Sequence, residues 1–289
     1  WESGFRRPAV ALMSFLDRLQ KLSAIDFVQS IADGVLVGAT YSLIGIGFTL
    51  VFGVMHKINM AYAAASIAGA YVGLTALTLV PMPVPVVVVC SAIVAGAFGY
   101  LIYLCCFRFI PLSTPLATLM STVGMLLLID EIIVHQTAGM PMAFPAVVRG
   151  SLDIGDFMVR YDYLFVFATA LLSMVGLLWL LFRTRLGMAT RAVAMQPVAA
   201  QLVGMSVDRV NAVTFVIAGV LGGIAGGLIG SSVGQLSPLL VQPLTVKGLI
   251  VTVIGGLGSI PGAIVAGLLV GAAENLFQLV RGVTRRLNV

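Results

Sequence analysis

Seven stretches of this chain, near 28–54, 58–80, 84–107, 112–134, 163–182, 207–230 and 262–280, are almost free of charge and each approaches the length of a membrane crossing; a shorter one covers 244–256. A helix needs about 20 consecutive apolar residues to cross the hydrocarbon core. In lipid every backbone polar group must be satisfied internally, so such runs are helices. Composition agrees: of 289 residues, 60% are hydrophobic and only 9% charged, against about 25% charged in soluble domains. The fold class is an all-α integral membrane protein with seven or eight apolar helical segments.

The net charge of +5 does not indicate nucleic acid, because the basic residues flank the apolar runs instead of forming one polar face. Cys90, Cys105 and Cys106 lie inside apolar stretches without metal-ligand spacing, and His56 and His135 are too few for a site, so no metal is expected. No G-x-x-x-x-G-K-[ST] loop and no nucleophile–base constellation is present, so the chain is expected to bind no cofactor and to catalyse nothing. Residues 1–26 read as a cytoplasmic segment with an amphipathic surface helix over 5–22. Residues 27–281 read as a single transmembrane domain, and 282–289 as a cytoplasmic tail.

Lys and Arg favour the cytoplasmic side. Arg183, Arg185, Arg191 and Arg209 place the 183–209 loop inside, Arg281, Arg285 and Arg286 do the same for the tail, and Arg6, Arg7, Arg18 and Lys21 for the N-terminus. The acidic stretch 135–162 then faces out, in the periplasm of an inner-membrane protein. Parity requires that one segment in each half enters and returns, or is broken. Residues 56–62 (HKINMAY) and 255–262 (GGLGSIPG) offer the two interruptions. Broken helices in corresponding places of two halves point to a transport path. The path candidates are therefore Asn59, Tyr62, Gly255, Gly256, Gly258, Ser259, Pro261 and Gly262, with close helix packing by the glycines and helix capping by Asn59 as the plainer readings. Gly219, Gly223, Gly226, Gly227 and Gly230 share one helical face and signal packing.

In the 183–209 loop, Pro197 suits a first helical turn, Gly204 a C-cap, and Ser206 the cap of the next membrane helix. The short helix between them is apolar and small-sided. It needs a surface, either its own membrane domain or a cytoplasmic partner. Within the membrane segments, Glu274 is expected to pair with Arg281 or Arg286 near the inner face, and Asn211 to hold two helices together.

Three blocks carry a resemblance: GVLVGATYSLIGIGFTLVFGVMHKINMAYAAASIAGAY (34–71), RAVAMQPVAAQLVGMSVDRVNAVTFVIAGVLGGIAGGL (191–228) and VIGGLGSIPGAIVAGLLVGAAENL (253–276). In order and spacing they resemble permeases of the high-affinity branched-chain amino acid ABC transporter family. The resemblance implies a cytoplasmic coupling helix seated in an ATPase groove, involving Arg191, Gln196, Pro197, Ala199, Ala200, Leu202, Val203 and Gly204. It also implies two ATPase subunits holding ATP and Mg, a second homologous permease subunit, and a periplasmic solute-binding protein. Gln196 and Val198 stand where the family often has charged residues, which favours an apolar, shape-fitted dock. Asn59-Met60-Ala61-Tyr62-Ala63 replaces the family's Asn-Phe-Ala-His-Gly, and amides, urea and aromatic acids stay open as solutes. An ion-gradient-driven secondary transporter and a purely structural subunit are the competing classes. The near absence of ionisable groups in the apolar core disfavours the first, and the broken helices disfavour the second.

Overall fold

The computed structural model describes residues 24–79, 83–110, 115–145, 150–154 and 157–285. The surface helix expected over 5–22 and Arg286 of the tail lie outside the described residues. The helices are α1 (Ala24–Met55), α2 (Tyr62–Leu79), α3 (Val84–Ile102, continued by a π-helical turn Tyr103–Arg108) and α4 (Pro115–Thr137) in the first half. After them come α5 (Tyr161–Arg183), α6 (Arg185–Met195), α7 (Pro197–Leu202), α8 (Val207–Val233), α9 (Val241–Gly255) and α10 (Ile260–Arg285). Among the described residues, seven helices are long and apolar enough to cross a membrane, and Tyr62–Thr78 is a shorter apolar one.

Helix ends follow local chemistry. Asp162 and Asp208 stand in the first turns of α5 and α8, and Arg183 in the last turn of α5, each complementing the helix dipole. Gly234 closes α8 in the left-handed region at φ 75°. Four short strands lie at the other end from α6 and α7. β1 (Met142–Ala143) pairs antiparallel with β4 (Gln235–Leu236), and β2 (Ser151–Ile154) with β3 (Phe157–Arg160). The first pair ties the α4–α5 connection to the end of α8. Tyr71 donates to the Leu236 carbonyl at 2.9 Å beside it.

The bundle thus has a loop end, with α6 and α7, and a hairpin end, with β2 and β3. Val54, near the C-terminus of α1, packs with Val193 and Ala200 at the loop end. Gln29 and Asp33, near its N-terminus, share a cleft with Tyr163, Asn275 and Gln278 at the hairpin end. Among the described residues the seven long helices and the shorter α2 therefore alternate in direction, and α1 begins where α10 finishes. This corrects the parity argument: no segment turns back, and both ends of the described chain lie opposite the 183–209 loop. The physical reason is that α2, though short, continues from the buried segment 57–61 to the hairpin end, so the first three apolar runs all cross. Arg108, Arg183, Arg185, Arg191 and Arg209 stand at the loop end, but Arg281 and Arg285 of α10 stand at the opposite end with Arg160, so the basic residues near the chain end do not follow the positive-inside bias that the loop follows.

The packing order reveals an inverted repeat. Helix α1 lies along α10, α3 lies along α8, and α1 and α8 cross at the centre; α2 packs on α8 as α9 packs on α1. The unit α1–α2–α3 thus matches α8–α9–α10 with every direction reversed. The connection 56–61 corresponds to 234–240, not to 255–262 as the sequence suggested, because the matching links must lie at opposite ends of the bundle.

Small residues set the two long seams. A Cβ on Gly38 would lie 2.8 Å from the Gly267 carbonyl oxygen, and one on Gly34 would lie 2.7 Å from the Ala272 Cα. On α8, the row expected to form one face divides between partners: Gly219, Gly223 and Gly227 meet α3, whereas Gly226 meets Ser66 of α2. Replacing Gly38 with Val should lower stability by at least about 1–3 kcal/mol, the usual cost of overpacking. Gly124→Ala, where nothing lies within 4 Å, should be neutral or stabilising by up to about 1 kcal/mol. Thermal unfolding of both variants in detergent, followed by size-exclusion chromatography, checks this contrast.

Candidate translocation and coupling sites

Helix α1 ends at Met55, and His56 turns the chain through the left-handed region at φ 53°. Residues 57–61 then climb without helical hydrogen bonding into the bundle, and Lys57, Asn59 and Ala61 are all buried. Such backbone is tolerated at membrane depth only with internal partners, and α4 supplies them. Lys57 Nζ donates to Thr118 Oγ1 at 2.8 Å, and the Met60 N–H donates to Thr122 Oγ1 at 3.3 Å. Asn59 Oδ1 accepts from the Ala61 N–H at 3.1 Å, so this side chain caps the entry to α2.

Tyr62 opens α2 at the crossing of α1 and α8. Its ring lies edge-on to Phe48, with centroids 5.0 Å apart, and its phenol fills the space that side chains at Gly47 and Gly222 would take. Asn59 and Tyr62 are sealed in the core in this conformation, with 3% and 2% of their surface exposed.

The 255–262 segment sits elsewhere. Gly256 and Gly258 have φ of 88° and 89°, which glycine alone adopts without strain, and Ser259 Oγ accepts from the Gly262 N–H at 3.3 Å to open α10. Leu257, Gly258, Ser259 and Pro261 are exposed. The segment is a tight helix–turn–helix link at the loop end, where a Cβ on Gly53 would lie 3.4 Å from the Gly258 Cα. The structure does not bring it together with Asn59 and Tyr62.

In the 183–209 loop, Thr184 caps α6 by accepting from the Gly187 N–H at 3.2 Å. Gln196 lies between α6 and α7, and its carbonyl accepts from the Ala200 N–H at 3.0 Å. Pro197 starts α7; Gly204, at φ 84°, turns the chain after it, while the Met205 N–H returns to the Ala200 carbonyl at 3.0 Å. Ser206 precedes α8 but its hydroxyl makes no capping bond; the carbonyl accepts from the Val210 N–H at 3.2 Å instead.

Helix α7 packs on its own bundle through one face and leaves the other bare. Ala200, 3% exposed, packs on Val54 and Val193 and pins the helix to its own bundle. Met195, Val198, Leu202 and Val203 point away, Leu202 with 84% of its surface bare, and Ala199 is exposed beside them. The Arg191 guanidinium lies over the Phe182 ring at 5.3 Å.

Glu274 pairs with Lys247 and not with Arg281, and Arg286 lies outside the described residues. Lys247 of α9 donates to both of its oxygens, at 2.7 and 2.8 Å, and to the Tyr41 hydroxyl at 3.0 Å. Glu274 lies mid-helix, out of reach of the end of α10, whereas α9 packs against it at that level. Lys247 had its own signal, a lone cation inside an apolar run, which demands an opposite charge at the same depth. The triad borders a cleft of about 350 Å³ that opens toward the hairpin end past Arg160, Tyr163 and Gln278. Below it Asp162, almost fully buried, accepts from Ser231 at 3.0 Å and faces Arg160 at 3.6 Å. Asn211 is buried, but its Oδ1 has no hydrogen-bond partner, so the expected bridge between helices is not made through that oxygen.

An all-helical membrane bundle with an inverted repeat and an outward-facing apolar loop helix defines the class of a transporter's membrane subunit. The family model for the permease component of branched-chain amino acid transport systems matches residues 30–288. The chain is 33% identical over 261 residues to the high-affinity branched-chain amino acid transport system permease protein BraD of Pseudomonas aeruginosa, covering 86% of this chain and 85% of the relative. It is 31% identical to LivH of Escherichia coli over 86% of this chain and 85% of that one. A probable LivH of Methanocaldococcus jannaschii is 30% identical over 81% of this chain and 76% of its own length. The chain belongs to this family of permeases. It is a multi-pass protein of the inner membrane and not itself an enzyme.

Removing one member of the intramembrane pair should cost more than removing both. Lys247→Met and Glu274→Leu singly should each destabilise by about 3 kcal/mol, and the double variant should recover part of the loss. Thermal unfolding of the three variants in lipid nanodiscs measures the coupling. Asn59→Ala should cost about 1 kcal/mol through loss of the cap, with Asn59→Ser restoring most of it on the same assay.

Proposed function

We propose that the chain is the membrane-spanning half of an ATP-driven importer for branched-chain amino acids or a closely related small solute. The assembled importer contains a second homologous permease subunit, a pair of cytoplasmic ATPase subunits and a periplasmic binding protein. Family membership supports import as the activity, and the relatives' transport of branched-chain amino acids supports the solute class. In this reading the loop end is cytoplasmic and the hairpin end periplasmic. The ATPases hold ATP and Mg, and this chain holds neither.

One observation carries the coupling role of α7: a helix anchored by Ala200 presents Met195, Val198, Leu202 and Val203 as a bare apolar ridge beyond the membrane domain. A groove in an ATPase subunit covers that ridge. No charge projects from Met195, Val198, Leu202 or Val203, so the fit rests on shape and apolar area. Movement of the ridge reaches α1 directly, since Ala200 rests on Val54. From there it reaches the buried segment 57–61 at the foot of the same helix. Asn59 and Tyr62, closed off here, are the groups that such a movement exposes to the solute path.

The ion-gradient alternative loses ground on the same coordinates. Lys247 and Glu274 neutralise one another through two short hydrogen bonds, so neither is a lone charge for a coupling ion. In proteoliposomes holding the assembled transporter, Leu202→Glu should lower binding-protein-stimulated ATPase activity and leucine uptake at least tenfold while the subunit still inserts. Ala200→Arg is a poorer probe, because Ala200 faces the bundle and the change dislodges the loop itself. Uptake that persists without ATP, or that ignores Leu202→Glu, refutes the coupling role.

A further inference from the structure

At the loop end, between α1, the foot of α5, α6 and the 256–261 turn, lies a cavity of about 230 Å³. It is smaller than the roughly 300–1,000 Å³ typical of sites for drug-sized ligands, so its occupant is small. Leu50, Val54, Leu181, Phe182, Ile260 and Pro261 make most of its wall. Thr49, Thr190, Ser259 and Arg191 are the polar residues of its lining. No carboxylate lines it.

Thr49 marks the cavity as more than a packing gap. It is fully buried and its Oγ1 has no hydrogen-bond partner. A helical threonine ordinarily returns its hydroxyl to the carbonyl four residues back. Here that carbonyl, of Gly45, accepts instead from Thr252 Oγ1 at 3.2 Å. A buried hydroxyl left without a partner is destabilising, and this residue borders the cavity. Thr190 spends its own proton on the Leu186 carbonyl at 2.8 Å, which leaves its lone pairs to accept. Arg191 stands at the mouth, its guanidinium held over Phe182.

We infer that this cavity binds a small aliphatic amino acid from the cytoplasmic side, and that its occupancy slows the transport cycle. The guanidinium takes the carboxylate, the hydroxyls of Thr49 and Thr190 take the α-amino group and remaining lone pairs, and the apolar wall takes the side chain. The regulatory half of the inference rests on the importer reading. The same α6 that lines the cavity carries the loop helix α7, and the opposite wall is α1, which packs against Ala200. A ligand between them splints the joint through which the loop would move the bundle, so accumulated product restrains its own import. An anionic lipid could offer a similar head and tail, and the test separates the two sources.

The full chain in phosphatidylcholine nanodiscs is titrated with L-leucine, leucinamide and glycine, read by saturation-transfer NMR. Leucine should bind saturably, with leucinamide and glycine at least tenfold weaker; equal response to all three, or none, overturns the site. Thr49→Val and Arg191→Gln, each checked for monodisperse elution, should weaken leucine severalfold and at least tenfold respectively. Unchanged affinity in both refutes the assignment. Nanodiscs containing phosphatidylglycerol should give the same leucine affinity, whereas loss of binding there assigns the cavity to lipid and defeats the proposal. In the assembled transporter, leucine inside the vesicles should lower ATPase activity severalfold for the wild-type chain and not for Thr49→Val; absence of that difference overturns the regulatory role. Failure of ATP-driven leucine uptake with leucine binding intact strikes the importer reading and leaves the site standing.

Discussion

Close backbone contact between helices is the constraint on which the rest of this structure depends. Lipid tails are as apolar as leucine, so helices in a bilayer gain nothing by hiding apolar surface and associate through packing and polar contacts. The two longest seams, α1 with α10 and α3 with α8, are built where Gly34, Gly38, Gly267 and Gly271, or Gly219 and Gly223, leave room for a neighbouring main chain. Ser42 adds a hydrogen bond across the first seam, to the Ile264 carbonyl at 2.8 Å. These seams hold the two inverted units together, and everything irregular in the protein is lodged between them.

Irregular backbone and charge are both expensive at this depth, and the structure treats them alike, by giving each a private partner. Segment 57–61 is satisfied by two threonines of α4 and by Asn59 itself. Lys247 is satisfied by Glu274 and Tyr41. Thr49, Tyr62 and Asn211 each keep a buried polar atom without such a partner, and of the three Thr49 borders the loop-end cavity. The site proposals therefore sit where the general economy of polar groups is suspended.

Much of the architecture was legible in the residues. Apolar run length located the membrane helices, and Pro197 and Gly204 bracketed α7 as they do in the structure. The spatial pairing was not legible. Segments 56–62 and 255–262 look alike as interruptions, one through polar residues and one through glycines, yet one is a buried ascent and the other a surface turn. Only helix direction tells them apart, and direction was misassigned because arginine counts at the chain ends outweighed the short α2. Glu274 went to the wrong partner for a related reason: sequence proximity favoured arginines on its own helix, while Lys247 comes from the neighbouring α9. The orphan hydroxyl of Thr49 had no sequence signal at all, since a helical threonine ordinarily bonds its own helix and only the packed structure shows one that does not.

The seam between α1 and α10 joins the two extremes of the described chain. Helix α1 is inserted early in synthesis, yet the glycines that receive it, Gly267 and Gly271, emerge some 230 residues later. Throughout that interval α1 stands in the bilayer with its small-residue face against lipid or a temporary neighbour. Assembly of this permease thus waits for α10 to close the seam with α1. A chain truncated before α10 would insert, but it would keep a long exposed face that quality-control proteases and insertion factors can recognise.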